Sequence, residues 1–294
     1  MQRSKIVCPV IAMLAVACAS TTPSSAPDAA PSSVDATSPA FDAAVASRCT
    51  ETANELSCPY ETASFQALVV MRSVRYQTPL GTPPPNGWPV VFFFQGSFHS
   101  AEEAFHSTRD ATFGQFQLVR TIRALLDGGY AVIAPEPLVD IAWQTNVPPY
   151  SLNWTATSDH AFLLAIIAGI GNGTLGPLDT TRLYATGISS GGYMTSRMAV
   201  SYPGVFRALA VHSASYATCG VTCLLPLNLP VDHPPTLFLH GAQDPIVPVT
   251  QMLAYRDELA QQGHVVDTVI DAAAGHEWIA PAVPAITAWF DAHP

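Results

Sequence analysis

The run RLYATGISSGGYMTSRM at residues 182–198 restricts this chain more than any other feature. Apolar residues up to Thr186 read as a buried strand, Arg182–Thr186, and Tyr193–Tyr202 has helical spacing. Between them stands Gly187-Ile188-Ser189-Ser190-Gly191, followed by Gly192. A serine on so short a link between strand and helix sits on a sharp, strained turn that lifts its hydroxyl clear of the sheet. Neighbours two residues away on either side crowd that backbone, so they must lack side chains. Gly187 and Gly191 meet the demand, and Gly192 extends the clearance. The helix that follows aims its positive end at the turn and favours negative charge there.

The rest of the chain supplies a sheet for such a turn. Phe65–Tyr76 reads as an opening strand or hairpin arm, and Pro89–Phe94 (PVVFFF) as a strand buried on both faces. Helix Phe116–Leu126 ends at Gly128-Gly129, and Tyr130–Ala134 is the next buried strand. Ser158-Asp159 are expected to cap a helix through Ile170. After the serine turn come strands Ala208–His212 and Thr236–His240, helix Thr250–Gln262, strand Val265–Ile270 and a last helix, Val283–Ala292. The alternation predicts an α/β fold, a mostly parallel central sheet with helices on both faces. Residues 48–294 are expected to form one catalytic domain. Glu136–Thr157 fits no element, and a structureless loop of that length inside a domain is usually functional.

A serine is a weak nucleophile until a base, itself held by an acid, takes its proton. On this architecture the acid and the base follow the serine in that order. Asp244 lies just past a strand in TLFLHGAQDPIVP, whereas Asp232, Asp257, Asp267 and Asp271 fall in a turn, a helix, a strand and a strand end. His276 lies in AAAGHEW, between the last strand and the last helix. His264 belongs at the opposite edge of the sheet, and His240 reads as a structural strand-end residue. The backbone N–H groups of Ser190 and Ser97 are the expected oxyanion donors, with Gly96 the alternative to Ser97 in the Gln95-Gly96-Ser97 loop.

Composition removes competing chemistries. The sole lysine is Lys5, so Schiff-base and P-loop lysine chemistry are absent from any form lacking the first residues. With 12 Lys+Arg against 22 Asp+Glu and no basic stripe, no nucleic-acid partner is expected. No metal or cofactor is implied. Arg3 and Lys5 before the apolar run Ile6–Ala17 read as an export signal over residues 1–17. Ala15-Val16-Ala17-Cys18 resembles a lipobox, which would make Cys18 an acylated membrane tether; the alternative is an ordinary secretory signal cut after Ala19. Residues 18–47, rich in Ala, Ser, Thr, Pro and Asp, read as a disordered spacer. An extracellular or cell-envelope location suits two disulfides among the remaining cysteines, Cys49–Cys58 and Cys219–Cys223 if neighbours pair, although crossed pairings stay open. Neither spacing is that of a zinc ribbon or finger.

LDTTRLYATGISSGGYM, HGAQDPIVP and AAAGHEW resemble the polyhydroxyalkanoate-depolymerase and feruloyl-esterase branch of the α/β-hydrolases. GISSG together with FFFQGS is most similar to extracellular depolymerases of medium-chain-length polyhydroxyalkanoates. The resemblance runs from about Trp88 to the C-terminus. It implies an α/β-hydrolase fold, a triad of Ser189, Asp244 and His276, and a hydrophobic ester or aliphatic polyester substrate; a monomer is expected. It also implies that adsorption rests on the catalytic domain, with Trp143, Tyr150 and Trp154 as candidate substrate contacts or, alternatively, as loop-packing aromatics. A feruloyl- or acetylxylan-type esterase is the rival activity, and a catalytically dead surface-binding domain the non-enzymatic one.

Overall fold

The computed structural model describes residues 46–138, 142–219, 223 and 225–294. The expected signal, Cys18 and nearly all of the spacer lie outside the described residues. In chain order the strands are β1 (Thr50–Glu51), β2 (Glu55–Ser57), β3 (Glu61–Ala67), β4 (Val70–Gln77), β5 (Trp88–Phe94), β6 (His106–Thr108), β7 (Ala131–Pro135), β8 (Leu178–Ile188), β9 (Phe206–His212), β10 (Thr236–Gly241) and β11 (Val266–Asp271). The helices are α1 (Gln115–Asp127), α2 (Ser158–Gly171), α3 (Ser190–Ser201), α4 (Val249–Gln261) and α5 (Ala282–Asp291).

Eight strands form one sheet in the order β11-β10-β9-β8-β5-β7-β4-β3. From β11 to β7 all neighbours are parallel, whereas β4 runs antiparallel to β7 and β3 antiparallel to β4. The fold is therefore α/β with a mostly parallel sheet. Strand β5 explains why both faces are covered. Its side chains alternate across the sheet, and every residue from Pro89 to Phe94 is buried. Val91 and Phe93 pack with Leu118 and Ile122 of α1 and Ile286 and Phe290 of α5. Val90, Phe92 and Phe94 pack with Phe162 and Ile166 of α2 and Met194 and Met198 of α3. Sequence alternation was lost here because neither face meets water.

Several boundaries differ from the expectation. Phe65–Tyr76 is not one arm but parts of two strands, β3 and β4, joined at Leu68-Val69. Helix α2 is capped by Thr157, whose hydroxyl accepts from the His160 N–H at 3.1 Å, rather than by Ser158-Asp159. Asp159 is instead buried and paired with Arg72 Nη1 at 2.7 Å. Helix α3 begins at Ser190, immediately after the serine turn. The short strands β1, β2 and β6 form a separate three-stranded sheet, and a Cys49–Cys58 disulfide brackets β1 and β2. Strands of two or three residues are too short to leave a periodic signal. Cys219 and Cys223 form a second disulfide.

Candidate active site

Ser189 stands between β8 and α3 with φ 57° and ψ −122°. Residues other than glycine seldom adopt such backbone angles, and where they do the surroundings must enforce it. Here the Ser189 N–H donates to the His212 carbonyl at 3.1 Å and the Tyr193 N–H to the Ser189 carbonyl at 3.0 Å. The glycines follow from contact distances. A Cβ on Gly187 would lie 2.4 Å from the Phe94 oxygen, one on Gly191 1.9 Å from the same atom, and one on Gly192 2.5 Å from the His212 oxygen. All three approach backbone, which cannot rotate away.

Asp244 follows β10 and His276 follows β11, so both lie beyond the same sheet end as Ser189. His276 Nδ1 lies 2.8 Å from Asp244 Oδ2. Because an ionised carboxylate only accepts, that nitrogen carries the proton, and in the neutral ring Nε2 is left as the acceptor. The Ile246 and Val247 N–H groups donate to Asp244 Oδ1 at 2.9 and 2.8 Å, and His240 Nε2 lies 3.3 Å from Oδ2. Burial alone would raise the Asp244 pKa. The hydrogen bonds from His240, His276, Val247 and Ile246 outweigh it and hold the carboxyl well below the usual carboxylate range.

Ser189, His276 and Ser97 share one cavity of about 500 Å³, whose wall is mainly apolar and includes Phe93, Leu118 and Ile188. Asp244 stands behind His276, out of the cavity. The arrangement brings Ser189 and His276 to one cavity and holds the imidazole in one tautomer.

A poly(3-hydroxyoctanoate) depolymerase of Pseudomonas fluorescens is 49% identical over 261 residues, covering 86% of this chain and 93% of that protein. The chain belongs to the poly(3-hydroxyoctanoate) depolymerase family of α/β-hydrolases. No family model matches it. A feruloyl esterase B of Neurospora crassa is 36% identical over 94 residues, 31% of this chain and 30% of that one. Among solved structures, an acylaminoacyl peptidase superposes with a TM-score of 0.52 at 17% identity over 74% of this chain. The chain spans 37% of that peptidase's length, and the likeness is one of fold.

In this depolymerase-family chain the aromatic residues of the 136–157 segment do not line the cavity. Trp143 and Trp154 are buried, and Tyr150 is exposed away from the cavity wall. The physical reason for the correction is that both indoles are tied inward. Trp154 Nε1 donates to the Tyr202 hydroxyl at 3.3 Å, and Arg197 stacks over its ring. Trp143 Nε1 donates to the Gln95 carbonyl at 3.0 Å, while its backbone N–H donates to Ser190 Oγ at 2.9 Å. Trp143 thus straps the β5 loop, which carries Ser97, to the first residue of α3. Asp159 anchors the strap, accepting from the Gln144 N–H at 2.6 Å as well as from Arg72. Burial raises the Asp159 pKa and lowers that of Arg72, and their mutual attraction opposes both shifts.

Sequence reasoning missed His212. It ends β9, and its Nε2 accepts the Ile279 N–H at 3.0 Å, three residues past His276. Its own carbonyl holds the Ser189 N–H, so one residue touches both the serine turn and the histidine loop. Burial drives its pKa well below the ordinary histidine value, which preserves the acceptor nitrogen. Its ring stacks on Trp278 with centroids 4.7 Å apart. A histidine closing the apolar run Ala208–Val211 was the available signal.

Proposed function

We propose that this chain hydrolyses medium-chain aliphatic polyesters and their oligomers through an acyl-enzyme on Ser189. The Ser189 hydroxyl attacks the ester carbonyl while His276 Nε2 takes its proton, and Asp244 keeps the imidazolium oriented. The N–H groups of Ser97 and Ser190 receive the oxyanion. The carbon–oxygen bond to the leaving alcohol breaks as His276 returns the proton to that oxygen. Water, deprotonated by His276, then releases the acid and restores Ser189.

The observation that carries the reading is an apolar cavity of about 500 Å³ that Ser189 lines together with His276, the imidazole itself being hydrogen-bonded to Asp244. That volume falls within the range of small-molecule sites, and the wall offers apolar contact to an alkyl chain. The relative from Pseudomonas fluorescens supports the polymer as substrate. The basic and apolar leader, residues 1–17, supports export, and Cys18 is the proposed point of attachment should the exported form be lipid-anchored.

The test is hydrolysis of a chain-length series of soluble esters and of medium-chain polyester films, by the native protein and by Ser189→Ala. Native activity should rise toward medium acyl chains and erode the film, and the variant should lose both. Cleavage confined to acetyl or feruloyl esters, with intact films, would replace this reading with that of a polysaccharide esterase. Retained activity in Ser189→Ala would remove the nucleophile.

A further inference from the structure

Five residues other than glycine, among those described, hold a positive φ: Leu68 (56°), Phe98 (66°), Phe113 (58°), Ser189 (57°) and Ser213 (46°). Left-handed backbone is disfavoured for bulky side chains. Ser189 is the raised serine and Ser213 follows β9. The other three are large, apolar and open to solvent, with Leu68 57%, Phe98 77% and Phe113 49% exposed. Phe98 and Phe113 form part of the cavity wall. Leu68 stands elsewhere, at the β3–β4 turn, beside Val69, which is 93% exposed.

That turn is chemically odd. Ala67 pairs with Val70, so Leu68 and Val69 are the two central residues of a tight hairpin. A positive φ at the first of them is the place where glycine is ordinary, with a polar residue after it. Here the chain spends two large hydrophobes on solvent, and Met71 beside them is exposed as well.

The turn also lies on the catalytic side. Val74 of β4 is opposite Pro135, the last residue of β7. β4 runs antiparallel to β7, so the chain from Val74 back to Val69 projects past the C-terminal end of β7, about 16 Å over five residues. In sheet order β4 is three strands from β8, about 14 Å sideways at ordinary strand spacing. The hairpin tip therefore lies beyond the C-terminal end of β7, at the same end of the parallel strands as Ser189, Asp244 and His276.

We propose that the Leu68-Val69 hairpin tip, together with Phe98 and Phe113 at the cavity mouth, is the surface by which the protein adsorbs to a solid, uncharged aliphatic polyester. This rests on the polyester reading above. Charge argues for that occupant over an anionic membrane. The chain carries a formal charge of −10, and the arginines of β4 are committed, Arg72 to Asp159 and Arg75 to Glu136. No free cation of the hairpin faces a phosphate headgroup, whereas a neutral ester surface needs only apolar area.

The test is the double variant Leu68→Gly/Val69→Asn, which installs ordinary turn residues and is expected to melt no lower than the native chain. Val69→Asn alone is the second variant, and it leaves Leu68 in place. On a soluble short-chain ester both variants should match the native kcat/KM within about twofold. On a medium-chain polyester film the double variant should lose about tenfold in adsorption constant, from the apolar area it removes, and film erosion at low protein should fall with it. Phosphatidylcholine vesicles with and without phosphatidylglycerol should bind neither form. Native-like adsorption and erosion by a folded double variant would overturn the proposal, as would native binding to vesicles that the variant loses. A native protein that cleaves soluble esters but leaves the film intact would instead remove the polyester reading on which the proposal rests.

Discussion

Gly191→Ala is the substitution for which the structure gives the clearest magnitude. The new Cβ would lie 1.9 Å from the Phe94 oxygen, 2.4 Å from the Phe94 carbonyl carbon and 2.6 Å from the Gln95 oxygen. Real Cβ contacts essentially never fall below 3.0 Å, so the gap between α3 and the end of β5 has to open by about 1 Å. The backbone that must yield leads straight into Gly96-Ser97, while the backbone on the other side carries Ser189 and Ser190. The strain therefore falls on the backbone segments that carry the two proposed oxyanion donors. A displacement of that size costs about 100-fold in rate when it falls on reacting groups. The expected outcome is a kcat lower by about 100-fold on a soluble medium-chain ester, with KM little changed because the apolar wall is untouched. Overpacking should cost about 1–3 kcal/mol, a fall of about 3–10 °C in Tm for a chain of this size. Gly96→Ala is the matched control, since its Cβ would meet the Ile188 oxygen at an ordinary 3.5 Å. Steady-state kinetics and thermal melting of both variants decide the matter. Equal kcat and Tm in Gly191→Ala and the native protein would refute the steric account of the glycine.

Three further outcomes follow from the surroundings of the site. Trp143→Phe keeps an aromatic ring, smaller than the indole, but removes the donor to the Gln95 carbonyl; it should cost about 1–3 kcal/mol of stability and lower kcat more than it raises KM, and an unchanged kcat would deny the strap a role. Arg72→Met strands the buried Asp159 carboxylate and should cost about 3–5 kcal/mol, read by denaturant unfolding, with Arg72→Met/Asp159→Leu recovering much of the loss. Asp244 has a depressed folded-state pKa, so its ionised form contributes stability that is full above the unfolded value of about 4 and is lost as pH falls through the folded value. Asp244→Asn should therefore destabilise the protein at neutral pH, and the difference in unfolding free energy should narrow below about pH 4; a gap that stays constant with pH would contradict the hydrogen-bonded carboxylate.

What was legible in the sequence was whatever local chemistry forces. Gly187 and Gly191 admit no side chain, PVVFFF admits no water, and the order of serine, acid and histidine follows from strands that point one way. The 136–157 segment was legible as important but not as to how. Its tryptophans look like binding residues because loops usually face solvent, and nothing near them in the chain announces that Arg72, 87 residues before Asp159, pulls the segment inward. His212 was passed over for a similar reason: its partner, Ile279, is 67 residues away. The exposed Leu68-Val69 turn was hidden by its own composition, because an apolar run reads as strand interior and the bend comes only from the pairing of Ala67 with Val70.

Among the described residues, strand β11 has a neighbour on one side only, β10, and its residues are half-buried or exposed, none of them sealed. Yet the imidazole hangs from the loop that leaves it. The proposed nucleophile rises from the middle of the sheet, while the proposed base is borne by its margin, where fraying costs least. Warming or mild denaturant should thus silence turnover while the central strands still hold, so that loss of activity registers the loosening of one border strand well ahead of any spectroscopic melt.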